Sequence, residues 1–229
     1  MKKNVVVLTG AGISAESGLK TFRDADGLWE GHDVMEVASP QGFSRNPELV
    51  LEFYNQRRRQ LQQVVPNKAH KALVDLEELY NVGIITQNVD DLHERAGSTN
   101  VVHLHGELLK ARSTGGGTPI PWHKDLVLGD CCEKGLQLRP HIVWFGEEVP
   151  LMGKATELTS KANFLIIIGT SMQVYPAAGL IDFVPPGTPI YFVDPRPSIK
   201  SNPQKRLKVI PENATKGVPI VVADLIAGR

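Results

Sequence analysis

Cysteine is almost missing from this chain: 229 residues hold only Cys131 and Cys132, adjacent in sequence. Neighbouring cysteines rarely pair, so no disulfide framework staples the fold. Net charge is missing too, with 25 Lys plus Arg against 25 Asp plus Glu. No overall field draws the protein to nucleic acid or to an anionic membrane, and its partners must be selected by local chemistry. No apolar run approaches the ~18 residues that span a bilayer. The strongest run, Phe164 to Ile168, reads as a buried parallel strand. Met1-Lys2-Lys3-Asn4 leads into four apolar residues, whereas a signal peptide carries a core of about seven to fifteen. A cytoplasmic protein is expected, without nucleic-acid or membrane partners. Internal repeats and low-complexity tracts are absent as well.

What is present is a chain long enough to bury a sizeable core, in which strand patterns alternate with helical ones. Strands are expected at Val5 to Thr9, Gly83 to Gln87, Val101 to Leu104, Phe164 to Ile168, Ile190 to Val193 and Lys208 to Ile210. That alternation predicts an open, mostly parallel α/β sheet with helices on both faces. Helical patterns run from Ser44 to Val65, with Asn46 as N-cap and Pro47 in the first turn, and from Ala69 to Tyr80. Residues 110 to 138, with Gly115-Gly116-Gly117, Pro119, Pro121 and Gly129-Asp130, show no sustained period and read as loop.

The first strand runs into Thr9-Gly10-Ala11-Gly12-Ile13-Ser14-Ala15-Glu16-Ser17-Gly18. This fits the strand-to-helix turn in which backbone N–H groups meet a pyrophosphate, although a turn that merely joins strand and helix has the same spacing. A dinucleotide fingerprint continues with an acidic residue on a second strand about twenty residues later. Here the next strand pattern is Val82 to Thr86, which disfavours a hydride-transfer dehydrogenase.

The turn continues as Leu19-Lys20-Thr21-Phe22-Arg23-Asp24. Thr86-Gln87-Asn88-Val89-Asp90 with Leu92-His93-Glu94-Arg95-Ala96-Gly97 follows, then Leu104-His105-Gly106, Arg139-Pro140 with Val143-Trp144-Phe145-Gly146-Glu147, and Gly169-Thr170-Ser171. In this order the motifs resemble the sirtuin family of NAD-dependent protein deacylases across nearly the whole chain. The resemblance implies a Rossmann-like part at 1–23, 67–109 and 143–229, with a small part inserted at 24–66 and 110–142. It implies NAD as a consumed co-substrate and acyl-lysine proteins or peptides as partners bound as an extended strand. Products are then nicotinamide, O-acyl-ADP-ribose and free lysine.

Site residues follow from the same resemblance. His105 takes the place of the general base, a role that suits a group titrating near neutrality, though a histidine that simply closes a strand reads the same way. Asn88 and Asp90 would hold the nicotinamide carboxamide, and their amide and carboxylate are able to accept from and donate to it. In a turn they could equally bond nearby backbone. NAD contacts are implied for Gly10, Ala11, Gly12, Ile13, Ala15, Glu16, Thr21, Phe22, Arg23, Trp29, Gln87, Asn88, Val89 and Asp90, and further on for Gly169, Thr170, Ser171, Asp194, Pro195, Arg196 and Ala214. Phe22 and Arg23 would form a lid, the alternative for Arg23 being an exposed ion pair. Val143, Trp144, Phe145 and Gly146 would line the acyl-lysine tunnel and pair with the substrate backbone, or make a core strand and turn. His103 is expected to support or merely pack.

Tyr54 and Arg57 lie three apart on the expected helix and so share a face. A phenol and a guanidinium placed there can clamp a carboxylate, as in the sirtuin subclass that removes succinyl and malonyl groups. Otherwise Arg57-Arg58-Arg59 is a solvated basic face. The departure from the family is at its zinc module: Arg112-Ser113-Thr114 stands where a first cysteine pair belongs, and tetrahedral zinc needs four ligands. No metal is expected, and Trp122, Leu126, Val127 and Leu128 are expected to pack as a metal-free substitute. Two other readings stay open, ADP-ribosyl transfer to protein and a non-catalytic NAD or ADP-ribose sensor.

Overall fold

The computed structural model describes residues 2–20, 28–29, 31–197, 199–201 and 206–228. Strands are β1 (Asn4–Thr9), β2 (Leu28–Trp29), β3 (His32–Asp33), β4 (Asn81–Thr86), β5 (Val101–His103), β6 (Gly106–Ser113), β7 (Ile120–Pro121), β8 (Leu138–Ile142), β9 (Phe164–Ile168), β10 (Ile190–Val193) and β11 (Leu207–Ile210). Helices are α1 (Gly12–Ala15), α2 (Val34–Val37), α3 (Pro40–Arg45), α4 (Pro47–Leu61), α5 (Lys68–Glu77), α6 (Leu92–Ala96), α7 (Met152–Ser160) and α8 (Ala214–Ala227), with a 3-10 helix at Ala177–Phe183. No helix among the described residues is long and apolar enough to cross a membrane.

Six strands form one parallel sheet in the order β11-β10-β9-β1-β4-β5. Successive side chains of a strand point to opposite faces. Val5 and Val7 of β1 therefore join Ile84, Ile166 and Val193 against α5 and α8. Val6 and Leu8 join Ile85, Ile167 and Phe192 on the other face, against Ala155 of α7 and Leu180 of the 3-10 helix. Because both faces are covered, the strands read as continuous apolar runs rather than alternating ones.

The helical stretch expected from Ser44 divides at Asn46, which closes α3 and caps α4 by accepting from Leu49 N at 3.1 Å, with Pro47 following. Asn67 caps α5, and His70 closes a reciprocal box by accepting from Asn67 N. The loop expected over 110–138 needs correction. β6 extends to Ser113 and pairs antiparallel with β7 and β8, and Cys131 bridges Gln137. A register shift between Glu107 and Ala111 breaks the period of two that would mark a strand.

The packing of this region also differs from expectation. Leu126 is fully buried with Leu51, Ala111 and Leu138, and Trp122 leans on the same cluster. Val127 and Leu128 face solvent, 53% and 45% exposed, and contribute nothing to that core. Side chains of α4 supply what they do not. Asn55 clamps Leu126 at both backbone ends, accepting from its N–H at 2.8 Å and donating to its carbonyl at 3.0 Å. Arg58, which a solvated basic face would expose, is fully buried and donates to Asn55 Oδ1 and the Leu108 carbonyl. Arg59 reaches Asp125, and Gln62 reaches the His123 carbonyl. Among the described residues, no group of three or more His, Cys, Asp or Glu is gathered to hold a metal ion.

Candidate active site

The carboxyl ends of β1, β4 and β9 meet at one cavity of about 340 Å3, where doubly wound sheets place ligands. The β1 and β9 turns interlock: Gly10 N–H donates to the Ile168 carbonyl at 3.0 Å and Gly12 N–H to the Gly169 carbonyl at 2.9 Å. A Cβ on Gly12 would lie 2.5 Å from Gly169 Cα. Glycine is thus required at 12 by the neighbouring turn. Thr170 and Ser171 continue from it along the cavity wall, and Thr170 Oγ1 accepts from Gln87 Nε2 at 3.2 Å.

Asn88 and Asp90 are both buried at the cavity and joined through a residue that the motif reading passed over. Asn88 Nδ2 donates to Ser14 Oγ at 3.1 Å, and Ser14 Oγ–H donates to Asp90 Oδ2 at 2.9 Å. Burial raises the Asp90 carboxyl to about 6, against the lowering effect of Ser14 and of the Leu92 N–H. Beneath them Asn88 N–H donates to Thr86 Oγ1, which also accepts from Thr9 Oγ1–H at 2.9 Å. Thr9 Oγ1 in turn contacts His93 Nε2 at 3.1 Å, and the His93 ring meets His70 edge-on. Burial holds His70 down at about 4 and keeps His93 well below its ordinary value, so both are neutral supports of the turn.

His105 also lines the cavity, and its Nδ1–H donates to the Gln87 carbonyl at 2.9 Å. A backbone carbonyl only accepts, so the proton sits on Nδ1 and Nε2 carries the lone pair. Burial lowers the pKa of His105, opposed by that hydrogen bond. His103 has a different environment. Burial disfavours its charge, but Glu94 at 2.6 Å outweighs burial and raises it, and Nδ1 reaches the Asn88 carbonyl.

Tyr54, Arg57, Trp29, Val143, Trp144, Phe145 and Gly146 all line the same cavity, as do Gly10, Ala11, Gly12, Val89 and Gly169. The N–H groups of Val143, Trp144 and Phe145 are committed to His105 O, Glu147 Oε2 and Ala38 O. Several expected contacts lie elsewhere. Ile13 is in the core and Ala15 outside the lining. Glu16 caps α8, accepting from Thr215 N at 2.9 Å and Thr215 Oγ1 at 2.6 Å. Ala214 packs in the core at the start of α8, Asp194 accepts from Arg196 N, and Pro195 and Arg196 are exposed away from the cavity. Thr21, Phe22 and Arg23 fall outside the described residues. Gln60 lines the cavity without belonging to any motif, and Lys20, inside the motif that continues the first turn, lines it without having been assigned a contact; Ser14 had at least the signal of its place two residues beyond Gly12.

This arrangement agrees with the similarity of the chain to known proteins. Residues 10–176 match the Sir2 family. The chain belongs to that family. A Sir2-family relative from Helicobacter pylori strain J99, an NAD-dependent protein deacylase, is 59% identical over 225 residues, covering 98% of this chain and 96% of its own. The solved structure of a Sir2 homologue with NAD superposes with a TM-score of 0.86 at 37% identity, covering 99% of this chain and 91% of that one. A Sir2 protein bound to an acetylated peptide gives 0.80 at 28%, covering 97% and 93%.

Proposed function

We propose that this Sir2-family protein is an NAD-dependent protein deacylase that frees lysine side chains from acetyl groups and from acyl groups ending in a carboxylate, such as succinyl and malonyl. The observation that supports it most is His105, whose Nδ1–H is held by the Gln87 carbonyl inside the cavity while Nε2 keeps its lone pair. NAD suits the residues present. The linked amide, hydroxyl and carboxyl of Asn88, Ser14 and Asp90 can satisfy both the donor and acceptor of a carboxamide, and the hydroxyls of Thr170 and Ser171 suit a ribose.

When bound, NAD supplies an anomeric carbon from which nicotinamide departs and a ribose to which the acyl group passes. His105 Nε2 takes the proton of a ribose hydroxyl, the general-base step. Asn88 and Asp90 orient the leaving ring, and an Asp90 that titrates near 6 can hold or release a proton close to neutrality. The apolar walls of Leu108, Ile142 and Val143 exclude water from the acyl group. A peptide strand added at Val143 to Gly146 would pair through main-chain carbonyls, since three of the N–H groups are taken. Tyr54 and Arg57 on the same wall support recognition of a terminal carboxylate.

Mass-spectrometric deacylation of matched acetyl- and succinyl-lysine peptides, with and without NAD, tests the reading in wild type, Arg57→Met and His105→Ala. NAD-dependent loss of succinyl that falls selectively in Arg57→Met is expected, and His105→Ala should lose turnover while still binding NAD. Unchanged turnover in His105→Ala would remove it from the mechanism. Adenylate label moving onto protein would instead mark ADP-ribosyl transfer.

A further inference from the structure

Tyr54 is fully buried, and its phenol oxygen accepts from the indole N–H of Trp144 at 2.9 Å. A phenol proton lies in the ring plane and can point to either side of the oxygen. With the indole N–H filling one side, the proton is left on the other, where no acceptor stands among the described residues. Tyr54 is one of the residues that line the cavity. Its phenol is therefore a donor in one direction, and a carboxylate is a charged partner that only accepts. A neutral acyl chain offers that proton nothing, and an unmet buried donor is costly.

Trp144 is itself held from two further sides. Its backbone N–H donates to Glu147 Oε2 at 2.8 Å. The Arg139 guanidinium stacks on its indole, 3.3 Å from the ring centroid. Glu147 binds Arg139 through both oxygens, at 2.6 and 3.0 Å, and Arg112 at 3.1 Å. Two guanidiniums to one carboxylate leave this clasp with a surplus positive charge against the indole, and Arg139 and Arg57 both act on the Tyr54 phenol. The field is of the sign that favours an anionic acyl group.

We propose that Trp144 is the positioning residue that makes Tyr54 a one-way hydrogen-bond donor, and that the Arg139–Glu147–Arg112 clasp, by fixing Trp144, sets the preference for carboxylate-ended acyl groups over neutral ones. The inference rests on the acidic-acyl reading given above. Succinyl- and butyryl-lysine have four-carbon acyl chains and differ by the carboxylate, so the ratio of their kcat/KM values isolates it.

The test measures that ratio in wild type, Trp144→Phe, Tyr54→Phe, the double variant, Arg139→Met and Arg57→Met, with circular dichroism to confirm folding. Trp144→Phe and Tyr54→Phe are each expected to lower the succinyl-to-butyryl ratio about tenfold, a loss typical of one buried hydrogen bond to a charged group. The double variant should fall no further than either single one, because the two act as a unit. Arg139→Met should lower it about threefold. Tyr54→Phe removes a single oxygen and keeps the test alive where Trp144→Phe disturbs folding. A ratio that survives Trp144→Phe, or losses that add fully in the double variant, would overturn the inference and leave the acidic-acyl reading standing. A wild type without preference for succinyl, with Arg57→Met inert, would overturn both.

Discussion

The parallel sheet and the antiparallel β6-β7-β8 unit are held together by different physics. Within the sheet, both faces of β1 and β9 are covered by aliphatic side chains, and the strands supply their own hydrogen bonds. The antiparallel unit buries only Ala111, Leu126 and Leu138 of its own, against Leu51 of α4, and depends on polar side chains of that helix and its C-terminal end, where Asn55, Arg58, Arg59 and Gln62 reach across to backbone and carboxylate groups. Burial of apolar area is non-directional and tolerant of adjustment. Buried polar clamps are directional, and removing one partner costs the desolvation of the other. A small unit with little to bury can thus be ordered by a neighbouring helix.

The largest expected break falls at the seam between the two. Gly106, directly after His105, has φ +83°, and a Cβ there would lie 2.0 Å from the His141 carbonyl oxygen. Gly106→Ala is expected to cost about 3–5 kcal/mol, and a melting temperature within a few degrees of wild type would refute the steric argument. Next comes Asn55→Ala, which strips both ends of the Leu126 clamp and an acceptor from buried Arg58. A loss of about 2–3 kcal/mol is expected, read as lower hydrogen-exchange protection at Leu126 with β1 and β9 little changed. Equal loss in both regions would mean that the two are one cooperative unit.

A third break is set by pH. The Asp90 carboxyl lies near 6 in the fold, above its ordinary 3.8, so the folded state holds its proton where the unfolded chain has lost it. The penalty of the buried charge is absent below the lower value and complete above the higher one. Relative to wild type, Asp90→Asn should gain about 1–2 kcal/mol between pH 4.5 and 7.5. A pH-independent difference in denaturant midpoints would count against burial as the cause. The smallest effect is expected from exhaustive chelation, which should move the melting temperature by less than about 1 °C; unfolding of the antiparallel unit would reinstate a metal.

The residues that were legible in the sequence are those whose signal is local. The six parallel strands announce themselves as short apolar runs, and the carboxyl ends of β1, β4 and β9 carry the turns that meet at the cavity. That Tyr54 and Arg57 share a face of α4 was readable from helical spacing, and both line the cavity. The burial of Arg58 was not readable, since its charge suggests a solvated face while Asn55, one turn back on the same helix, and the Leu108 carbonyl, distant in sequence, make burial tolerable. β6 was hidden by its bulge, and Val127 and Leu128 misled because apolar residues are not obliged to be inside. Ser14 and Glu16 sit two residues apart on one turn, yet one joins Asn88 to Asp90 and the other caps α8; only tertiary placement separates them.

The position of β1 bears on how the protein is made. It leaves the ribosome before the other five strands of the parallel sheet, and it ends in the sheet's interior, where Val5 pairs with Val82 on one side and Phe164 on the other. At usual elongation rates of 5–20 residues per second, the nascent chain carries a strand with an open edge for roughly 8 to 30 s before β9 is synthesised. Gly10 and Gly12 have no carbonyls to meet until Ile168 and Gly169 exist. The cavity is therefore a late event of translation, and β1, made before both of its neighbours, is the strand most in need of a chaperone's cover.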